Sequence, residues 1–300
     1  MRPDRLQADR DDRRSAATCF FAGASVVILD RAKKAADAIR QGAGLTPKVG
    51  VILGSGLGPF ADDVTDPVSV SYADIPGFPE LTVAGHTGRL VMGSVSGVSV
   101  AVLQGRKHYY EAGDARAMNL PVATLRELGC DTLLTSNASG GILDGVEPGD
   151  LAVIADHINW VGASPLTGEE GIDDPFIDMV DAYDPDLRKM LAKAGAKCGL
   201  ALREAVYTFL AGPQFETPAE IRVVQRMGGD LVGMSTVPEV ILARYLGMRV
   251  AALSVVTNRA AGLGDTALSH AQTQANAKQA EKAMRALVAE FLAILREETV

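Results

Sequence analysis

Strand-like and helix-like segments alternate along the chain from about residue 29 to its end. This alternation is typical of an α/β domain, in which helices cover a largely parallel sheet. Strands buried on both faces read as continuous apolar runs, and such runs occur at 49–53, 133–135, 151–155, 206–210 and 250–256. We therefore predict a single α/β domain over residues 29–300, with a central mixed, largely parallel twisted β-sheet flanked by helices.

Turn and cap residues place the other elements. Residues 90–95 and 98–103, joined by Ser96 and Gly97, are predicted to form a hairpin. Thr217, Pro218 and Glu220 form a capping-box pattern that predicts a helix ending before Gly228. The pattern recurs at Thr236, which is predicted to cap a helix that ends at Gly247. Apolar residues at helical spacing between 284 and 295 predict an amphipathic last helix.

Residues 1–28 differ in composition from the rest of the chain. Arginines and aspartates precede an apolar run at 16–29, which has the outline of an export signal. The aspartates nearly cancel the arginines, and the run is too short to span a bilayer. We predict an N-terminal extension at 1–28 that is disordered or results from a misassigned start site, with an export signal as the alternative.

Charge and cysteine content exclude several classes of protein. The net charge is −8, from 29 basic and 37 acidic residues, which is the wrong sign for a protein that binds nucleic acid through a broad basic face. The 3 cysteines have no metal-ligand or disulfide spacing, so we expect no metal site and a reducing, cytoplasmic location. We also expect no membrane association.

Polar residues collect where the predicted strands end. They are Gly54-Ser55-Gly56, Arg106-Lys107-His108, Asn137, Gln214-Phe215-Glu216 and Asn258. Ligands of open α/β sheets bind beyond the carboxyl ends of the strands, so these five strand ends are expected to converge on one site. An arginine fork at Arg106 suits the oxygens of a phosphate, and His108 can add a further donor. Ser235, just before a predicted helix, would be a third phosphate donor.

The glycine loop does not indicate a dinucleotide or triphosphate site. The dinucleotide fingerprint requires glycine where Pro59 stands, and the lysine of a P-loop is absent. An oxidoreductase that uses NAD is therefore disfavoured.

Eight motifs together resemble the trimeric purine nucleoside phosphorylases, with the methylthioadenosine phosphorylases as near relatives. The resemblance covers about residues 31–295. The motifs are GSGLG at 54–58, GHTGRLV at 85–91, QGRKHYYEAG at 104–113, TSNASGG at 135–141, GDLAVIADHIN at 149–159, AGPQFETPAE at 211–220, GMSTVPE at 233–239 and TNRAAG at 257–262.

This resemblance implies reversible attack of inorganic phosphate on C1′ of purine ribonucleosides and deoxyribonucleosides, giving free base and a pentose 1-phosphate with inversion. It implies a cytoplasmic homotrimer of purine salvage that uses phosphate as co-substrate and no metal or organic cofactor. The implied phosphate-binding residues are Ser55, His86, Arg106, His108, Ala138 and Ser235. The implied substrate-binding residues are Tyr110, Tyr207, Phe215, Glu216, Met234, Asn258 and His270, with Tyr207 lining the base pocket. Catalytic roles fall on His108, Glu216 and Asn258.

The base-binding pair favours 6-oxopurines. Glu216 would accept the N1–H and exocyclic N–H groups, while Asn258 would bridge O6 and N7 as negative charge collects there. An aspartate at position 258 would instead suit 6-aminopurines. We therefore predict activity on inosine and guanosine, with methylthioadenosine or xanthosine phosphorolysis, or nucleoside binding without catalysis, as alternatives.

Several residues depart from the resemblance or allow a simpler role. Residues 164–184 are shorter than the family pattern, and Phe176 is the only substitute we identify for the aromatic residue that a neighbouring subunit lends to the sugar pocket. After His270, residues 271–273 replace an acidic pair. His157 is predicted to be structural, and His86 and Met234 have structural alternatives.

Overall fold

The computed structural model describes residues 26–54, 57–83, 85–170, 172, 174–264 and 268–299. The helices in this part of the chain are α1 Val26–Arg40, α2 Asn119–Leu128, α3 Pro185–Lys197, α4 Pro218–Arg226, α5 Val237–Tyr245 and α6 His270–Thr299. Short 3₁₀ turns lie at Gly58–Asp63, Tyr72–Asp74 and Tyr109–Glu111. The strands are β1 Val49–Ile52, β2 Thr65–Ser71, β3 Arg89–Val95, β4 Val98–Gln104, β5 Thr132–Gly141, β6 Leu151–Asn159, β7 Arg203–Phe209, β8 Leu231–Gly233 and β9 Arg249–Arg259.

The described strands form one mixed sheet in the order β2-β3-β4-β1-β5-β8-β7-β6-β9. Strands β4, β1, β5 and β9 run parallel to one another. The predicted hairpin is present as β3 and β4, whose turn at Ser96 and Gly97 has positive φ at both residues. The predicted α/β fold with a mixed, largely parallel sheet is confirmed.

The second half of the sheet closes on itself. Strand β5 pairs with β8 on one side and with β9 on the other, and β9 returns to β8 through β6 and β7. Strands β6, β7 and β8 run parallel to one another and antiparallel to β5 and β9. Five strands therefore form a closed ring, from which β1, β4, β3 and β2 extend as an open sheet.

Helices cover both faces of this sheet. One core packs α1, α2 and α5 against alternate strand residues such as Ile52 and Leu133. The other core packs α3 and α6 against their neighbours, including Val51 and Leu134. This alternation with a period of two is why each central strand is apolar along its whole length.

Two predictions about local structure need correction. Strand β5 extends from residue 132 to residue 141, well beyond the predicted 133–135, because its polar second half is paired on both sides. The prediction that Thr236 caps a helix is wrong. Helix α5 begins at Val237 as expected, but the Thr236 hydroxyl makes no capping bond to the described backbone of α5.

The capping box of α4 is confirmed. The Thr217 hydroxyl accepts from the Glu220 backbone N–H at 3.2 Å, and the Glu220 carboxylate accepts from the Thr217 N–H at 2.7 Å. Helix α1 begins at Val26, so the described domain includes the last residues of the predicted extension, and residues 1–25 lie outside the described residues. No helix in the described ranges is long and apolar enough to cross a membrane.

Candidate active site

Strand β1 ends against the middle of strand β5. The backbone N–H of Gly54 donates to the Ser136 hydroxyl at 3.2 Å. A Cβ on Gly54 would lie 2.7 Å from the Ser136 carbonyl oxygen, so glycine is required for this approach. Ser55, the first predicted phosphate residue, lies outside the described residues and directly follows Gly54.

Strand β8 leads a second loop to the same part of β5. Because β8 runs antiparallel to β5, with Val232 opposite Gly140, the chain after β8 returns toward the middle of β5. There the side-chain amide of Asn137 donates to the Thr236 hydroxyl at 2.8 Å. We expected the carboxyl ends of parallel strands to meet at the site. This needs correction, because β7 and β8 run antiparallel to β5 and approach the site through the closed ring.

Arg106 lies at the centre of this region and is 1% exposed. Its Nη1 donates to Glu239 at 3.0 Å and to the Thr236 hydroxyl at 3.2 Å. Its Nη2 donates to the carbonyl oxygens of Ile52 and Ser136 and to the Thr135 hydroxyl. Both terminal nitrogens are therefore engaged by groups of the protein itself. The buried Nε–H has no hydrogen-bond partner among the described residues.

His86 supports the chain at Arg106. Its Nδ1 accepts from the Arg106 backbone N–H at 2.8 Å, and its ring meets His108 edge-on with centroids 5.3 Å apart. Burial, reinforced by the positive charges of His108 and Arg106, lowers the pKa of His86 to about 3. A neutral imidazole that accepts at Nδ1 carries its proton at Nε2, so this ring is a donor at Nε2.

Glu111 was not predicted and orients His108. Its carboxylate accepts from the His108 backbone N–H at 2.6 Å, lies 3.3 Å from His108 Nδ1 and accepts from the Thr82 hydroxyl. Burial alone would raise the pKa of Glu111, but the hydrogen bonds from His108 and Thr82 outweigh it and lower the pKa to about 2. The spacing of three residues between His108 and Glu111 was the signal for this capping pair.

Aromatic and sulfur side chains lie next to His108. The ring of Tyr110 stacks on His108 with centroids 4.8 Å apart and an interplanar angle of 14°. A Cβ on Gly212 would lie 3.3 Å from the Tyr110 ring and would collide with the Met234 sulfur. Tyr110 and Met234 are thus neighbours, and their contact with a sugar stays a prediction.

Tyr207 does not line a pocket. Its side chain is fully buried, and its hydroxyl accepts from the Ser235 backbone N–H at 3.2 Å. Burial raises the pKa of Tyr207 to about 12, so the hydroxyl stays protonated. Tyr207 therefore supports the loop at Ser235 from within the core, which corrects the predicted base-pocket role.

A β-bulge aims Asn258 at strand β5. The register of β5 and β9 shifts between Ser139 and Gly140, which leaves Thr257 as the extra residue. The Asn258 side chain then lies over Gly140, where a Cβ would approach its Nδ2 to 3.1 Å. Its Oδ1 accepts from the Thr257 hydroxyl at 3.1 Å. Asn258 is 9% exposed.

Phe215 and Glu216 are half-buried in the loop between β7 and α4. Burial raises the pKa of Glu216, and the nearby carboxylate of Glu220 adds to this. The chain after Asn258 contacts the start of α4, because a Cβ on Gly262 would lie 2.8 Å from Pro218. The two predicted base-binding segments are therefore adjacent.

The remaining predicted residues lie at the edges of this region. Ala138 is half-buried in β5 directly after Asn137. His270 is the first residue of α6, is exposed, and its positive charge contributes to lowering the pKa of His86. His157 pairs with the hydroxyl of the buried Tyr183 at 3.1 Å. Phe176 is 89% exposed.

Concave regions lie beside several of the predicted site residues. A narrow crevice is lined by His108, Met234 and Ser235 among others. Asn258 and the first turns of α6 line a cavity of about 730 Å³. No group of three or more potential metal ligands occurs within the described ranges.

Comparison with known proteins gives consistent matches. The family described as the phosphorylase superfamily matches residues 48–293. Purine nucleoside phosphorylase 1 of Bacillus subtilis is 44% identical over 268 residues, covering 87% of this chain and 99% of that protein. The purine nucleoside phosphorylase of Bos taurus is 44% identical over 220 residues, covering 71% of this chain and 76% of that protein.

A solved structure agrees with these matches. The purine nucleoside phosphorylase of Schistosoma mansoni in complex with inosine has a TM-score of 0.83 at 35% identity, covering 88% of this chain and 96% of that chain. The family match spans every predicted site residue from Ser55 to His270.

Proposed function

Because the chain belongs to the phosphorylase superfamily, and within it to the purine nucleoside phosphorylases, we propose that it catalyses the reversible phosphorolysis of 6-oxopurine ribonucleosides and deoxyribonucleosides. It is a pentosyltransferase that acts on purine nucleosides. An oxygen of inorganic phosphate forms a bond to C1′ as the C1′–N9 bond breaks, and the base leaves with the bonding electron pair.

The environment of Arg106 is the main observation that supports a phosphate-binding site. Its buried guanidinium is fixed by Glu239 and four further acceptors, while one buried donor, Nε–H, has no described partner. A buried unpaired donor on a cation is costly unless a ligand satisfies it. A dianionic phosphate satisfies it and is attracted by the charge.

Other donors around Arg106 complete the proposed phosphate site. Ser235, the backbone at Ala138 and His108 supply hydrogen bonds to the phosphate oxygens, and Ser55 follows Gly54 in the adjacent loop. His86 holds the Arg106 backbone, so its contribution to phosphate binding is through Arg106 and its own Nε2–H. His108 is the catalytic residue at this end because it orients the attacking phosphate.

The sugar lies between the two ends in this proposal. Tyr110 and Met234 contact the pentose, and His270 binds the 5′-hydroxyl. Phosphate beneath C1′ stabilises the positive charge that develops on the sugar as the glycosidic bond breaks. No metal or organic cofactor is needed for this chemistry.

The base end stabilises the departing purine. Glu216 accepts the N1–H of a 6-oxopurine, and Asn258 bridges O6 and N7 as negative charge collects there. Phe215 packs on the ring. The amide of Asn258 donates to the Arg259 carbonyl at 3.0 Å, and in this proposal the base takes over that donor. This asparagine favours inosine and guanosine over 6-aminopurines.

We further propose a cytoplasmic homotrimer that serves purine salvage. The large exposed apolar side chains Trp160, Phe176 and Val180 lie within one stretch of 21 residues, as expected of an interface. A neighbouring subunit would lend Phe176 to the sugar pocket. The absence of cysteine pairing patterns in the sequence supports a reducing compartment.

A base-release assay tests the function directly. Purified protein is incubated with inosine, guanosine, xanthosine or adenosine, each with and without phosphate. We expect phosphate-dependent release of hypoxanthine and guanine and much slower release of adenine. A preference for adenosine would indicate an enzyme of the methylthioadenosine phosphorylase type, and a preference for xanthosine would indicate a xanthosine phosphorylase. Inosine binding without base release would indicate a non-catalytic protein.

A further inference from the structure

Thr236 adopts a backbone conformation that is unfavourable for its residue type. Its φ is +73° and its side chain is fully buried. A β-branched residue in the left-handed region is a true outlier, and such conformations persist only where the surroundings impose them. Glycine would adopt this conformation freely. The presence of threonine therefore indicates that the hydroxyl is used.

The hydrogen bonds of this hydroxyl determine the direction in which it donates. It accepts from Arg106 Nη1 at 3.2 Å and from Asn137 Nδ2 at 2.8 Å. A hydroxyl has two acceptor lone pairs and one proton, so both acceptor positions are taken. The Ser235 hydroxyl lies 3.1 Å away. Thr236 must therefore be the donor in that contact, and Ser235 Oγ accepts.

This direction of the hydrogen bond allows the Ser235 hydroxyl to donate to an anion. With Oγ accepting from Thr236, the proton of the Ser235 hydroxyl points away from Thr236, where a phosphate oxygen would compete for it with the neighbouring Tyr207 hydroxyl. The backbone N–H of Ser235 already donates to Tyr207. The same Thr236 hydroxyl helps to hold Nη1 of Arg106, while Nη2 donates to other groups, so that Nε–H is the guanidinium donor left over.

We propose that Thr236 is a positioning residue for the phosphate site, setting the hydroxyl of Ser235 and the Nε–H of Arg106 as donors to the same phosphate. This inference rests on the proposed function. Thr236 itself touches neither phosphate nor nucleoside. Its loss should weaken phosphate binding while leaving nucleoside binding largely unchanged.

Isosteric substitution with a matched control tests this. Thr236→Val removes the hydroxyl and keeps the β-branched shape, whereas Thr236→Ser keeps the hydroxyl. Thr208→Val makes the same change at another fully buried threonine, in β7, whose hydroxyl has no hydrogen-bond partner in the described ranges. The KM for phosphate, the KM for inosine and the rise in Tm on adding phosphate are measured for each.

We expect Thr236→Val to raise the KM for phosphate about 10- to 100-fold, since the Ser235 hydroxyl and Arg106 Nε–H are no longer held in place as donors to a charged ligand. The phosphate-dependent rise in Tm should shrink as well. The KM for inosine should change less than about threefold, in contrast to the phosphate effect. Thr236→Ser should recover most of the phosphate affinity, and Thr208→Val should behave as wild type.

Three outcomes would overturn the inference. They are a folded Thr236→Val with wild-type phosphate KM, equal changes in both KM values, and no recovery in Thr236→Ser. If wild-type protein itself releases no base from inosine with phosphate, the proposed function has failed instead. If the wild type is active and Thr236→Val matches it, only the role of Thr236 is rejected.

Discussion

Glu216 is a half-buried carboxylate that, in the proposed role, must be charged to accept a hydrogen bond from the purine N1–H. Burial raises its pKa, so it loses its charge at a higher pH than an exposed glutamate would. We therefore expect kcat/KM for inosine to decrease as the pH is lowered, with the midpoint of this decrease above pH 4.5, the ordinary pKa of glutamate. Glu216→Ala should cost about 2–3 kcal/mol in kcat/KM, because buried polar atoms of the base lose their partner.

The control for Glu216 is Glu297→Ala, an exposed position near the end of α6. It should match wild type in both kcat/KM and its pH profile. Near-normal inosine turnover in Glu216→Ala would remove Glu216 from base recognition.

Asn258 is expected to determine the choice between keto and amino purines. Its amide offers both a donor and an acceptor, whereas the carboxylate of Asn258→Asp offers acceptors alone. The variant should shift the inosine-to-adenosine ratio of kcat/KM toward adenosine by about tenfold or more, since each mismatched polar contact is costly. The ratio is measured by competition between the two nucleosides, and an unchanged ratio would contradict the assignment.

At the scale of elements, the carboxylate of Asp184 both caps the start of α3 and binds Arg249. Asp184 accepts from the Asp186 and Leu187 N–H groups at 2.9 and 3.1 Å, and it binds Arg249 through both oxygens at 2.7 and 2.9 Å. Burial opposes ionisation, but the Arg249 guanidinium and the capping bonds outweigh it and lower the pKa of Asp184.

A carboxylate with a lowered folded-state pKa stabilises the fold above its ordinary pKa, and this stabilisation is lost as the pH falls through the lowered value. Asp184→Asn should therefore reduce the free energy of unfolding by about 1–2 kcal/mol at pH 7 and progressively less below pH 4. Urea denaturation across pH 3–7 measures the free energy of unfolding of both proteins.

The control is Asp186→Asn, which removes an exposed pair with Lys189 and should cost under about 0.5 kcal/mol. A pH-independent loss at Asp184 would argue against the ion pair.

At the scale of the whole molecule, the native mass in solution tests the proposed oligomeric state. We expect a native mass about three times the 31.4 kDa of one chain. Trp160→Asp should lower that mass, because a charge would be buried at the proposed interface. Met227→Asp is the matched control, since both side chains are 47% exposed and Met227 follows α4, outside the 160–180 stretch. A monomeric wild type, or equal effects of both changes, would reject the proposed interface.

Local sequence determined the elements whose signals are local. The apolar runs predicted β1, β6, β7 and β9, and the capping box at Thr217 predicted the start of α4. The polar residues at strand ends identified a candidate site from Gly54 to Asn258. The predictions of these strands and of this helix start succeeded because burial pattern, caps and turns depend on residues that are close in the chain.

Tertiary structure decided what depends on distant partners. The sequence did not predict the partners of the Arg106 fork, one terminal nitrogen of which donates to Glu239, 133 residues away. Thr236 looked like a cap and is instead a bridge to Arg106 and Asn137. The polar second half of β5 became a strand because β8 and β9 pair with it. Each buried donor or acceptor pairs with a group that the closed ring brings next to it. The type of a residue does not specify which group that is, because the partner is distant in the chain.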